Sequence, residues 1–436
     1  MIHVHEHLCA VIATPRSMRI SKASLRAFLL VAMTLIILSL RPALPGQALN
    51  EAILLVPLAG LAVLYVFLGF GLSVSNARIA LLIVSVIFVG YLILNTLVLA
   101  PGTIRETLQI AATLLLVATV TLFLFQLQDV NNVFRVIFFI FFFLALSQTV
   151  TYTLMFLTRS PESLLWGTLL SPTDAQPWSI RLYFPFTPTA GYEFVAGTFY
   201  PRATGIYREP GIYQAFVTMS FFAVDFFPFR RKLLMRLVLL FSLFTVFSTA
   251  GYIVFLITLS YKYILNIKKI RTFLYAGVAV SITVIGLMFL WDAGLMGIRY
   301  KLFTQGARLP QTIAVIAALK QSPFWGIGRI ESVGGINFIA ALSIIGLFGG
   351  ALFVVLVVYA LSVNYTKRNL IPFLPLLLTL VFAQPLYNKG IVFFMLLLCV
   401  KGLQIHGVSG QPDVENSFFR KLRGRQAYLR LRLIGN

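Results

Sequence analysis

Long apolar stretches follow one another along most of this chain, and they constrain its fold more than any other feature. Twelve of them approach or exceed the length of about 20 helical residues that crosses the hydrocarbon core of a bilayer. Hydrophobic residues make up 59% of the 436 residues and charged residues only 11%, which excludes a water-soluble globular protein. The predicted spans are 25–40, 51–71, 77–99, 107–127, 136–158, 211–229, 233–248, 250–266, 272–290, 337–363, 370–386 and 389–403.

The sequence therefore predicts an all-α polytopic membrane protein, and its basic residues predict the orientation. With both termini in the cytoplasm, 23 of the 35 Lys and Arg residues fall on the cytoplasmic side, as the positive-inside rule requires. Anionic lipid headgroups account for most of the net charge of +22, so no nucleic acid is expected as a partner. Spans 233–248 and 250–266 are short and could form one bent helix, but basic residues on both flanks favour a hairpin.

This orientation places two large loops on the outer side of the membrane, and they hold nine of the twelve outer basic residues. The composition of the first loop favours an ordered cap over a linker. In the second loop, residues 308–319 have apolar side chains at the spacing of an amphipathic helix. The predicted segments are a basic cytoplasmic tail 1–24, spans 25–158, the first loop 159–210, spans 211–290, the second loop 291–336, spans 337–403 and a basic cytoplasmic tail 404–436.

The first loop ends in Arg202-Ala-Thr-Gly-Ile-Tyr-Arg-Glu-Pro-Gly211, where a polar segment meets an apolar helix. Glu209 followed by Pro210 predicts the helix start, because proline is tolerated in a first turn and a carboxylate there faces unsatisfied N–H groups. Arginine suits phosphate, so two arginines at this junction indicate an anionic ligand; the alternative is that they anchor to lipid headgroups. Histidines occur only in the N-terminal tail and at position 406, so neither a histidine catalyst nor a histidine metal site is expected in the outer loops. The sequence has no nucleotide-binding loop, and no cofactor is expected.

Three stretches resemble, in matching order, the motifs of Wzy-type O-antigen and exopolysaccharide polymerases. The first is the segment 202–211, and the second is Phe247-Ser-Thr-Ala-Gly-Tyr252. The third runs from Arg308 through Pro323, Gly326, Gly328 and Asn337 to Gly346 and Gly349-Gly350.

The resemblance implies an inverting, metal-independent glycosyltransferase of the bacterial inner membrane. Such an enzyme transfers a growing glycan from undecaprenyl pyrophosphate to a lipid-linked repeat unit at the periplasmic face. Its expected partners are the lipid-linked oligosaccharide, membrane lipids and a chain-length regulator protein.

The leaving pyrophosphate develops negative charge, which arginines held at the interface can stabilise. We assign this role to Arg208 and Arg308, with Arg202 and Arg329 in support. Glu209 either acts as the general base for the acceptor hydroxyl or orients Arg208. The remaining candidates are Glu331 as a second base, Arg181 and Tyr207 in substrate binding, and Asn337 as a helix cap or a ligand.

Other functions stay open on the sequence alone. A flippase or transporter of polyprenyl-linked oligosaccharide would also need outer arginines, and a non-catalytic scaffold would tolerate their loss. The related O-antigen ligases carry His-Asn where this chain has Ile336-Asn337, so the missing histidine argues against a ligase. The aromatic residues of the first loop, Trp166, Trp178, Tyr183 and Tyr192, could stack on sugars or lie at the membrane interface.

Overall fold

The structure, a computed structural model, describes residues 22–38, 51–68, 75–125, 127–171, 178–195, 198–207, 209–227, 229–265, 308–328, 338–363 and 370–382. Most of these residues are helical. The helices are α1 (Lys22–Leu38), α2 (Glu51–Phe67), α3 (Asn76–Leu99), α4 (Ile104–Thr119), α5 (Leu127–Thr158), α6 (Pro210–Ala223), α7 (Lys232–Thr245), α8 (Thr249–Leu265), α9 (Arg308–Gln321), α10 (Phe338–Val363) and α11 (Leu374–Phe382).

Helices occupy ten of the twelve predicted spans, and the other two, 272–290 and 389–403, lie outside the described residues. The predicted amphipathic helix at 308–319 is also helical, as α9. Four helical stretches of the described chain are long and apolar enough to cross a membrane: Asn76–Leu99, Pro101–Leu124, Asn131–Thr158 and Ile339–Ser362. The protein thus has helices compatible with membrane insertion, while twelve crossings and their orientation stay predictions.

The first loop corrects the all-α prediction, because it folds into a four-stranded antiparallel sheet. Its strands are β1 (Leu165–Ser171), β2 (Trp178–Tyr183), β3 (Thr187–Val195) and β4 (Thr198–Ala203), paired in sequence order. These segments are rich in threonine and aromatic residues, which favour strands. A count of apolar runs misses them because each strand has only six to nine residues.

The sheet packs along the side of α5 through buried hydroxyl groups. The Thr187 hydroxyl lies 2.7 Å from that of Thr151 and 3.2 Å from that of Ser147. Tyr152, fully buried, donates a hydrogen bond to the carbonyl of Pro201 on β4. The sheet is therefore held against the last three turns of a helix that is long enough to span a membrane.

Helices α7 and α8 form the predicted hairpin and not one bent helix. Asp225, which follows α6, pairs with Arg236 in the second turn of α7 and, at 2.8 Å, with Lys262 in the last turn of α8. The start of α7 and the end of α8 therefore lie at the same level, beside the end of α6. It follows that α6 and α8 run parallel and begin at the opposite end, near the sheet.

Asp225→Asn is expected to lower the stability of this helix trio, because two cations then face each other without a carboxylate between them. Asp225 is 42% exposed, so we expect a loss of only about 1 kcal/mol. Thermal unfolding of the purified protein in detergent measures it. Glu106→Gln, an exposed carboxylate at the start of α4, is the matched control. Equal midpoints for the two variants would show that the Asp225 ion pairs do not hold the helices together.

Candidate anion-binding site at two helix ends

The start of α6 is built as the sequence predicts. Glu209 has an extended backbone (φ −118°, ψ 124°), and Pro210 occupies the first helical position. The Glu209 carbonyl accepts hydrogen bonds from the N–H groups of Ile212 at 3.2 Å and Tyr213 at 3.4 Å. The Glu209 side chain makes no capping hydrogen bond to the helix.

The start of α8 lies directly against the start of α6. A Cβ on Gly211 would be 3.7 Å from the Ser248 hydroxyl, just before α8. One turn further, a Cβ on Gly251 would lie 2.6 Å from Cγ of Gln214 and overlap its amide oxygen. Two helix N-termini therefore meet at one point. Each presents the positive end of a helix dipole, which favours an anion.

Strand β4 brings Arg202 to these helix ends. Tyr152 links this strand to the start of α8: it donates a hydrogen bond to the carbonyl of Pro201, next to Arg202, and its ring centroid lies 5.9 Å from that of Phe247, two residues before α8. Arg202 Nε is 3.8 Å from the Glu193 carboxylate, whose side chain is only 7% exposed. An arginine paired with a buried carboxylate is fixed by the protein, unlike one that reaches freely to lipid headgroups.

Glu193 is a residue of this site that sequence reasoning did not select. It reaches Arg202 because β3 and β4 are paired, with Glu193 opposite Tyr200 and a register shift between Thr189 and Tyr192. No local pattern indicates this register. Gln214 was missed as well: it is fully buried, and its side-chain N–H donates to the Leu243 carbonyl at 3.2 Å.

The other predicted site residues of the first loop have different surroundings. Tyr207 is fully buried and stacks on Phe141 and Phe216, with ring centroids 6.0 and 5.4 Å away. Arg181 is partly exposed, donates to Glu162 at 2.9 Å and lies over the Tyr192 ring. Their assignment to substrate binding stays a prediction.

Five of the predicted site residues have no described side chain. Arg208, Arg329, Glu331 and Asn337 lie outside the described residues. Arg308 begins α9 as part of the described backbone, without a described side chain.

The aromatic residues of the first loop separate into distinct environments. Tyr183 is buried, and this burial, followed by the nearby Glu162 carboxylate, raises the pKa of its phenol to about 12. Tyr183 is therefore neutral at physiological pH and inaccessible to a sugar. Trp166 and Tyr192 are exposed, and the side chain of Trp178 lies outside the described part.

The third stretch that resembles the polymerase motifs, residues 308–350, contains a separate packing contact between a loop and a broken helix. Helix α10 is broken at Gly346 (φ 66°, ψ 179°), and residues 323–328 fill the break. The carbonyls of Ser343 and Ile344 accept hydrogen bonds from Ile327 at 2.9 Å and Gly328 at 3.0 Å. Asn95 on α3 fixes the same segment through a 2.6 Å hydrogen bond to the Trp325 carbonyl. Gly326 and Gly328 also have positive φ angles, of 74° and 68°, so these three glycines have a structural explanation.

The fold and the site define a mostly helical protein with four helical stretches long and apolar enough to span a membrane, a small sheet against the helices, and two helix N-termini that meet beside this sheet. Within the described residues, no group of three or more His, Cys, Asp or Glu side chains could hold a metal ion. A comparison with protein-family models found no matching family, and comparisons with curated proteins and solved structures found no match.

Proposed function

We propose that this protein is a polysaccharide polymerase of the bacterial inner membrane. It would transfer a growing glycan from undecaprenyl pyrophosphate to a lipid-linked repeat unit at the periplasmic face, with inversion and without a metal. The observation that supports this function best is that two helix N-termini lie together beside strand β4, which carries Arg202, because this arrangement suits a pyrophosphate.

The contacts support a division of roles. The helix ends and Arg202, with Arg208 close by in the sequence, would hold the pyrophosphate and stabilise its charge as it leaves. Glu193 would position Arg202, since it is buried beside the guanidinium group. Glu209, at the N-cap of α6, is the candidate general base.

In the proposed reaction, the acceptor hydroxyl oxygen attacks the anomeric carbon of the donor sugar from the side opposite the pyrophosphate. A new glycosidic bond forms while the bond from the anomeric carbon to the pyrophosphate oxygen breaks, and the leaving group takes the electron pair. The hydroxyl proton passes to the carboxylate of Glu209. Attack from the opposite side inverts the configuration at the anomeric carbon.

The function is tested with purified protein and a lipid-pyrophosphate-linked oligosaccharide, whose multimers are separated on a gel. We expect Arg202→Ala and Arg208→Ala each to slow polymerisation by at least about 100-fold, because each removes a cation from the leaving group. Lys320→Ala, which removes an exposed cation at the end of α9, is the control and should retain wild-type activity.

Arg202→Lys separates chemistry from folding, because it keeps a charge beside buried Glu193 but loses the planar fork. We expect this variant to fold and to polymerise slowly. If the wild-type protein formed no multimers but moved the lipid-linked oligosaccharide across liposome membranes, it would be a flippase and not a polymerase. Transfer of glycan to a different lipid acceptor, without multimers, would indicate a ligase.

A further inference from the structure

Two large aromatic rings are exposed at one end of the sheet. Trp166 on β1 is 60% exposed, and Phe184, just after β2, is 41% exposed. Their ring centroids are 5.5 Å apart in an edge-to-face arrangement. A hydrogen bond of 2.9 Å from the Phe184 N–H to the Leu164 carbonyl ties the two segments together. Adjacent exposed rings of this kind mark a contact surface.

Hydrogen bonds to α5 fix the level of these rings along that helix. The Thr151 hydroxyl donates to the Phe184 carbonyl at 2.7 Å, and the Phe186 N–H donates to the Ser147 hydroxyl at 2.9 Å. Thr151 lies seven residues before the last residue of α5, Thr158. At 1.5 Å per residue, the turn after β2 therefore lies about 10 Å back from the helix end.

The length of the span then sets the depth of the rings in the bilayer. The stretch Asn131–Thr158 has 28 residues, about 42 Å, whereas the hydrocarbon core takes about 20 residues. Any window of that length within the stretch ends between residues 150 and 158. Thr151 is thus at the boundary of the core or inside it. Exposed Arg135 requires water or headgroups near the other end, which places the boundary near residue 155.

We propose that the end of the sheet that carries Trp166 and Phe184 is immersed in the interfacial layer of the bilayer, with lipid headgroups and upper acyl carbons as its partners. Tryptophan is enriched in this layer, and Val150 of α5, next to Thr151 in the sequence, is also exposed. The first loop, with its sheet, would then be partly inserted into the membrane surface. Because β4 of the same sheet carries Arg202, a lipid-anchored headgroup could reach the candidate site without its chain leaving the bilayer.

The proposal is tested by fluorescence of full-length protein in lipid nanodiscs, with Trp166 as the only tryptophan after Trp178, Trp291 and Trp325 are changed to Phe. Lipids brominated on the upper part of the acyl chain should quench most of the Trp166 emission. Iodide in the aqueous phase should quench little of it. The otherwise wild-type protein and its Trp166→Phe variant supply the same comparison by difference, if the triple replacement impairs folding.

Strong quenching by iodide with none by brominated lipid would overturn the proposal. If added soluble repeat-unit oligosaccharide then protects Trp166 from iodide, the ring pair binds sugar; if it does not, the pair is merely solvent-exposed. The measurement is independent of enzymatic activity, so its result stands whether or not the protein polymerises glycans.

Discussion

Gly346→Ala is expected to prevent correct folding of the helical bundle. Gly346 combines a positive φ with an extended ψ, a conformation that is essentially restricted to glycine. A Cβ there would overlap the Phe324 carbonyl and lie 2.5 Å from the Trp325 carbonyl carbon, and backbone atoms cannot rotate away. Backbone strain and overlap together should cost about 4 kcal/mol or more.

The cost would be high because the break in α10 organises a whole junction. Leu347 and Phe348, just after the break, donate to the carbonyls of Pro323 at 2.9 Å and Phe324 at 3.2 Å. The Tyr91 hydroxyl on α3 donates to the Ile345 carbonyl at 2.6 Å. A shift of residues 323–328 would leave these backbone groups without partners in an apolar environment, where unsatisfied groups are expensive.

Size-exclusion chromatography in detergent and thermal unfolding measure this effect. Gly90→Ala is the matched control, because Gly90 lies within α3 and a Cβ there has nothing within 4 Å. We expect that control to keep or slightly raise stability, since alanine favours a helix more than glycine does. A Gly346→Ala protein that elutes and melts like wild type would show that the bend in α10 does not depend on glycine.

Gly251→Ala should separate the two helix starts that form the candidate site. The new methyl group would overlap the side chain of Gln214, which is fully buried and bonded to the Leu243 carbonyl. Overpacking of this kind costs about 3 kcal/mol. Because the overlap falls between the starts of α6 and α8, we also expect loss of the proposed polymerase activity.

A double variant tests whether space for Gln214 is the reason for the glycine. In Gly251→Ala with Gln214→Ala, the overlap is gone, so the melting temperature should rise well above that of Gly251→Ala alone. The coupling energy between the two positions should reach about 2 kcal/mol. Gly60→Ala, in α2 with open space around it, is the control. Strictly additive effects of the two changes would refute direct packing between them.

Much of the helical part of the fold could be predicted locally. Apolar runs predicted ten of the described helices, and the Glu209-Pro210 pair predicted the start of α6 at the correct residue. Both features depend on residues within a turn or two of each other. The strands of the first loop were not predicted because they are short and because a membrane protein was expected to be helical throughout.

The candidate site was predicted less completely, since its parts come from distant positions. The sequence selected Arg202, Glu209 and the stretch 247–252, but gave no sign that they would meet. Glu193 becomes a partner of Arg202 only through the register of β3 and β4. Gln214 contacts the start of α8 only because the tertiary fold places Gly251 against its side chain.

The sequence by itself determined the apolar helices, the basic flanks and the proline-marked start of α6, because hydrophobic length and backbone preference act over a few residues. The tertiary structure decided which helix ends meet, how the sheet lies against α5 and where residues 323–328 dock. Contacts such as that between Asn95 and Trp325 join residues 230 positions apart. Their formation depends on packing and hydrogen bonding of the whole bundle, which no local pattern contains.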